Sequence, residues 1–212
     1  MMGLVRNLFS KFQDKREELN LSSFGDELAF KTSWDPLVLG GPNFCTQKLH
    51  KSTSPVSGYI VRFKITFGAM ISSATLTLVG LGGLFTSIPA GNLELIFPSL
   101  FLAGAGAYLC WMMQKSESVF DRSSRRLAMD GKTYNLDQVC AIQLIREHVS
   151  GARGGKYYSY ELNLICAGGE RINVVDHGSL RVIREDAEVL ANYLSIPVWD
   201  AIDFRIPEQA AY

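Results

Sequence analysis

Residues 65–88 read ITFGAMISSATLTLVGLGGLFTSI, and residues 95–113 read LIFPSLFLAGAGAYLCWMM. Their 24 and 19 residues include no Asp, Glu, Lys, Arg or His. A hydrocarbon layer about 30 Å thick takes roughly 20 apolar residues as helix, so each stretch is long enough to cross one. The joint between them, Pro89-Ala90-Gly91-Asn92-Leu93-Glu94, has the Pro, Gly and Asn of a tight reversal. The expectation is a helical membrane hairpin over 65–113 with both chain ends on one side. A soluble alternative would have to bury two adjacent helices that lack any polar face.

Helices in lipid associate through close backbone approach at small residues. Gly68 and Ser72 form one such pair in the first stretch, and Ala69 and Ser73 form another. Ala103 and Ala107 form the corresponding pair in the second, beside Gly104 and Gly106. Tyr108 and Trp111 lie near its end, where aromatic rings favour the headgroup level. Apart from Tyr108, Cys110 is the one ionisable residue in either stretch. Conduction and proton relay call for polar groups at membrane depth, so the hairpin reads as an anchor or a docking surface.

The whole chain has 212 residues, 21 basic and 21 acidic, with a mean hydropathy of +0.08. That balance fits a hairpin plus one small soluble domain and argues against nucleic-acid binding, which shows as a basic excess. The four cysteines, Cys45, Cys110, Cys140 and Cys166, are all more than 20 residues apart, so no CxxC metal signature exists. Reduced thiols are expected, in keeping with a cytoplasmic location. Residues 1–64 carry nine Lys or Arg, and Lys115, Arg122, Arg125 and Arg126 follow the second stretch, whereas the joint has none. The positive-inside rule then puts both termini in the cytoplasm. Basic residues from Arg6 to Arg16 break any apolar run near the start, so no signal peptide is read there.

Before the hairpin, residues 1–22 place Leu4, Val5, Leu8, Phe9, Phe12 and Leu19 largely on one helical face. This predicts an amphipathic helix, either lying in the headgroup plane or packed on the protein's own domain. Residues 23–64 form a cytoplasmic juxtamembrane segment with no clear period. In it Trp34-Asp35-Pro36-Leu37 and Gly40-Gly41-Pro42-Asn43-Phe44 read as turns.

After the hairpin the period changes to two. Short runs around Phe120, 125–129, 132–135, 139–149, 157–166 and 171–175 alternate, with Asp130-Gly131 and Gly168-Gly169 as turns. They predict an antiparallel meander of about five strands. Leu180, Ile183, Ala187, Leu190, Ala191 and Leu194 then recur at three and four residues as one helical stripe, with Ser179 as cap and Pro197 as stop. Glu185 and Asp186 are placed on its solvent side. An antiparallel sheet closed by one C-terminal helix is the outline of a pleckstrin-homology-like α+β domain over 114–200, abbreviated from the usual seven strands. Residues 201–212 are read as a tail.

Chemistry is harder to find. Gly151 to Lys156 lacks the spacing and the Ser or Thr of a phosphate-cradling loop. Asp176-His177-Gly178-Ser179 is contiguous, whereas a catalytic triad converges from separate elements; a turn into a helix explains it. The expectation is a non-enzyme with no cofactor and no metal. Arg146, His148, Arg153 and Lys156 sit where a basic loop either grips anionic headgroups or is simply solvated, with clustered cations near a membrane gaining about 1 kcal/mol each. Trp34 and Phe44 are the other candidate contacts.

This organisation resembles bacterial membrane proteins with a two-span hairpin and a cytoplasmic pleckstrin-homology-like domain. More narrowly, it is distantly similar to the photosystem I assembly factor family. The shared features are Leu78-Val79-Gly80-Leu81 in the hairpin, Phe120-Asp121-Arg122 after it, Leu136-Asp137 with Ile142, Tyr160-Glu161-Leu162, and Ala187, Leu190-Ala191, Leu194, Ile196-Pro197. Residues 1–57 depart from that family's shorter approach to its first span. The resemblance implies an assembly or scaffold role in a bacterial inner membrane. Its partners would be other integral membrane subunits, membrane lipids or a second copy of the chain. An anionic-lipid sensor built on Arg146, Arg153 and Lys156 is the alternative.

Overall fold

A computed structural model describes residues 16–55, 58–115, 117–150 and 155–207. It contains two long apolar helices, two β-sheets and an amphipathic helix, an α+β chain. One sheet has five strands in simple order: β1 (Gln47–Ser54), β2 (Gly58–Ile65), β3 (Ser118–Asp121), β4 (Arg126–Met129) and β5 (Lys132–Asn135). The apolar helices α2 (Phe67–Ser87) and α3 (Leu93–Lys115) are inserted between its neighbours β2 and β3. A short helix, α1 (Leu28–Lys31), precedes the sheet. The second sheet runs β8 (Arg171–His177), β7 (Lys156–Cys166), β6 (Val139–Ser150), β9 (Val198–Asp200), with β9 parallel to β6. Helix α4 (Leu180–Leu194) lies between β8 and β9 in sequence.

This corrects the expected division at the hairpin. Gln47–Ser54 and Gly58–Ile65 are two strands of the same sheet as 118–135 and not part of a separate juxtamembrane segment. Strand β1, QKLHKSTS, buries one hydrophobic residue, Leu49, so alternation could not betray it. The single meander becomes two sheets with nine strands among the described residues. The expected tail begins with buried Ala201 and Ile202. Of the expected N-terminal helix, residues 1–15 lie outside the described residues. Glu18 instead bridges Arg205, and Leu19 and Leu21 are buried in the domain.

The core between the sheets joins Val61, Phe63, Phe120 and Leu127 to Ile142, Leu144, Leu162 and Leu164, with Ile183, Ala187 and Leu190 of α4 closing it. The opposite face of the second sheet packs Ala141, Ile145 and Ile165 against Trp34, Trp199, Leu19 and Leu21. Strands β6 and β7 are thus covered on both faces, and their burial is nearly continuous. The Asp130-Gly131 turn has positive φ at both central residues, 51° and 74°, the backbone of a two-residue hairpin that follows the strand twist.

Helix α4 is fixed by polar contacts as well as its stripe. The Leu49 N–H donates to Asp186 Oδ2 at 3.0 Å, so Asp186 is buried and only Glu185 faces solvent. Tyr193 Oη accepts from the Arg122 N–H at 2.9 Å and donates to the Tyr59 carbonyl at 3.0 Å. Arg184 pairs with Asp200 at 2.7 Å and Asp203 at 2.6 Å. Ser179 occupies the N-cap position without a side-chain capping bond; its N–H donates to His177 Nδ1 at 3.2 Å. Ser195 ends the helix with φ of 60°.

Both apolar helices are long and apolar enough to cross a membrane, and most of their surface is exposed. They pack on each other along a seam of small residues. Ala69, Ser73, Gly80 and Ser87 are buried on α2, and Ser99, Ala103 and Gly106 on α3. A Cβ on Gly80 would lie 2.2 Å from the Ala103 nitrogen, and one on Gly106 would lie 2.6 Å from the Thr77 nitrogen. Cys110 Sγ and Ser73 Oγ meet at 3.1 Å. Of the expected pairs, Ala69 with Ser73 lies in the seam. Gly68, Ser72 and Ala107 are exposed, and Gly106 stands in the seam where Ala107 was expected. At helical spacing a shift of one residue turns a side chain by about 100°, which separates these rows. Gly106→Ile should therefore destabilise the full chain in detergent on the order of 3 kcal/mol through overpacking, while Gly68→Ile leaves the thermal unfolding midpoint nearly unchanged.

Candidate functional site

The most built feature outside the cores is a strap, residues 34–46, laid across the outer face of the second sheet. Its anchor is Trp34, whose Nε1–H donates to the Ala29 carbonyl at 2.9 Å and whose ring stacks on Phe24 at 5.4 Å. The strap then crosses two carboxylates that rise from adjacent strands. Glu161 of β7 accepts from the Leu37 and Val38 N–H groups at 3.0 and 2.9 Å. Glu147 of β6 accepts from the Gly40 N–H at 2.9 Å and the Gly41 N–H at 3.2 Å. Gly41 is obligatory there, because a Cβ would lie 2.2 Å from Ser159 Oγ. Tyr157 Oη donates to the Gly41 carbonyl at 3.0 Å.

A polar ladder continues along the same face. Gln143 Nε2 donates to the Ser33 carbonyl at 3.0 Å, and Arg171 donates to the Asp35 carbonyl at 2.6 Å. Asn163 Nδ2 donates to Glu161 at 3.0 Å, and Asn173 Nδ2 donates to Asp176 at 2.7 Å. The carboxylates are therefore consumed in holding backbone. Among the described residues, no group of three His, Cys, Asp or Glu is set to hold a metal.

The far end of the strap is tied to the start of the first apolar helix. The Gly178 N–H donates to the Phe44 carbonyl at 3.1 Å, and Thr46 Oγ1 donates to the Asp176 carbonyl at 2.9 Å. The Thr66 N–H donates to the Thr46 carbonyl at 2.9 Å, and its hydroxyl donates to the Cys45 carbonyl at 2.6 Å. Thr66 is the N-cap of α2 and accepts from the Ala69 N–H.

The candidate contacts separate sharply in this arrangement. Trp34 is buried core and presents no surface to a partner. Phe44 is half exposed, at 49%. Arg146 lies 4.5 Å over the Tyr158 ring, His148 is exposed 5.4 Å from the same ring, and Lys156 is exposed nearby at the start of β7. Arg153 lies outside the described residues. The residues that sequence reasoning missed are Glu147 and Glu161. The signal was present: both occupy alternating positions that their neighbours Ile145 and Ile165 mark as inward. No protein-family model, curated protein or solved structure matches the chain.

Burial pushes the Asp176 carboxyl from 3.8 up to about 7; the Asn173 hydrogen bond opposes this, and the Glu161 and Glu147 charges add to it. Burial likewise raises Asp186 to about 6, against the Leu49 hydrogen bond. Burial alone lowers His177 from 6.5 to about 4. From about pH 4 to 7 the folded chain keeps a proton on Asp176 that the unfolded chain has lost, so this group makes stability fall as pH rises. Asp186 acts in the same sense up to about pH 6. His177 acts oppositely between about 4 and 6.5, because there only the unfolded chain is protonated. Asp176→Asn should therefore raise the unfolding midpoint at pH 8 and flatten the decline approaching it, while His177→Gln steepens the decline with rising pH between about 4 and 6.5, both read by tryptophan fluorescence.

Proposed function

We propose that this chain is a non-enzymatic, membrane-anchored adaptor that assembles or stabilises a larger membrane protein complex. The observation that carries the reading is the insertion of α2 and α3 inside a sheet. Only Thr66 separates β2 from α2, and residues 116 and 117 separate α3 from β3. A loose tether would hang from one end of a domain, whereas this hairpin is joined at both ends to neighbouring strands of one sheet. The exposed surface of the helices needs lipid or partner helices to cover it.

In this reading the chain is multi-pass in a bacterial inner membrane, with both termini in the cytoplasm, as the basic residues flanking the hairpin support. This reading takes the sheet domain as pleckstrin-homology-like, supported by two successive antiparallel meanders that precede a helix closing the core. Its free end supports a docking role. An open groove of about 600 Å³ lies between Lys51, Tyr59, Arg122, Asn192 and Tyr193. Tyr59 stands six residues up β2 from Ile65, roughly 20 Å along the strand from the helices. The partners of this reading are other integral membrane subunits or a second copy of the chain, in an assembly-factor role of the kind the sequence resembles.

The test is mild detergent extraction of the tagged full chain from its native membrane, followed by sizing and mass spectrometry. Stoichiometric co-migration of other membrane subunits is expected, with loss of those subunits when Lys51→Glu and Arg122→Glu are combined. A particle holding neither another subunit nor a second copy contradicts the adaptor and favours the lipid sensor.

A further inference from the structure

Beyond its anchor Trp34, the strap presents apolar side chains outward. Leu39 is 80% exposed, and Val38 and Phe44 are each close to half exposed. Their backbone is not loose, because Glu161 and Glu147 hold the strap amides of Leu37, Val38, Gly40 and Gly41. A soluble surface gains nothing by fixing such a hydrophobic tip in water, and contiguous apolar exposure marks an interaction surface.

Two further observations say what covers it. First, the strap ends on the N-cap of α2: Cys45 and Thr46 accept from Thr66, the residue before the first apolar helix begins. The surface is thus continuous with the point where the hairpin leaves the domain. Second, the β6–β7 hairpin next to the strap carries a cationic and aromatic group. Tyr157 bonds Gly41 from the strap face of that hairpin, and Tyr158, Arg146 and His148 alternate onto its other face near the same end. Aromatic rings with cations beside apolar side chains suit the headgroup layer, where each end meets its own solvent. The nearby acids Glu147 and Glu161 point into the strap amides and not outward with Val38 and Leu39.

We propose that residues 37–44 form an interfacial wedge. Val38, Leu39 and Phe44 enter the acyl boundary of the membrane that α2 and α3 span, and Arg146 and His148 face the phosphates of anionic lipid. The wedge sets the tilt of the sheet domain against the bilayer. This rests on the membrane reading of the hairpin.

The test uses the full chain with Cys45, Cys110, Cys140 and Cys166 replaced by serine. Single cysteines at Leu39→Cys, Leu81→Cys or Ser123→Cys carry an environment-sensitive nitrobenzoxadiazole label. Each is reconstituted in phosphatidylcholine–phosphatidylglycerol vesicles containing spin-labelled lipid. The expected result is a blue-shifted label quenched by lipid at Leu39 and Leu81 and unquenched at Ser123, with quenching at Leu39 reduced in phosphatidylcholine alone. Quenching at Leu81 without quenching at Leu39 overturns the wedge and leaves the membrane hairpin standing. Absence of quenching at Leu81 overturns the membrane reading and the wedge with it. Equal quenching at Leu39 in both lipid compositions overturns the role given to Arg146 and His148. Phe44→Cys serves as a second reporter should the Leu39 variant misfold, and must give the same pattern.

Discussion

The structure depends on one geometric constraint: the chain leaves a sheet at β2, runs through two apolar helices, and must return to the strand position beside the one it left. Phe63 pairs with Ser118 and Val61 with Phe120 across that interruption. Neighbouring strands stand about 4.8 Å apart, whereas packed helix axes are usually 8–10 Å apart. A seam of Gly80, Ala103 and Gly106, with backbone against backbone, brings the helices close enough to feed adjacent strands without long connectors. The small residues of the hairpin therefore serve the sheet as much as the helix pair. This is why a domain with strands on both sides of a hairpin can keep a single core, joining Phe63 before it to Phe120 after it at 6.3 Å between rings.

The second organising interaction is the pair of carboxylates under the strap. Burying Glu147 and Glu161 is costly, and four backbone N–H groups meet that cost with charge-assisted hydrogen bonds. The same bonds satisfy a segment that has no secondary structure of its own. They also fix the direction in which Val38 and Leu39 point. A polar ladder of Gln143, Asn163 and Asn173 extends this logic along the sheet, so the outer face of β6–β8 interleaves hydrogen-bonded groups with the apolar Ala141, Ile145 and Ile165.

The hairpin was legible because two uncharged stretches of this length have few other fates, and α4 because its stripe is unbroken. The strands after the hairpin were legible from alternation and from Asp130-Gly131, whose backbone demand few residues meet. Strands β1 and β2 were not. Gln47–Ser54 is an edge strand with one buried hydrophobic residue that pairs with β2, and the two join the larger sheet only because β2 pairs with β3, across the whole hairpin, which no local pattern records. Asp186 misled for a related reason: a helix projection puts it beside Glu185, but the edge amide of Leu49 draws it inward. Trp34 and Phe44 looked equivalent in a turn-rich segment. Their separation into core and surface depends on Trp199 and the carboxylates, which arrive from the other end of the chain.

The central claim is that one hairpin crosses a membrane while the sheet domain on either side of it stays together in the cytoplasm. Cysteine labelling of intact cells tests it most directly, using Ala90→Cys in the joint and Ser123→Cys in the domain, both exposed, in the cysteine-free chain. The account predicts that a membrane-impermeant maleimide reaches position 90 from outside and position 123 only after permeabilisation. Labelling of both positions in intact cells, or of 123 alone, would contradict it.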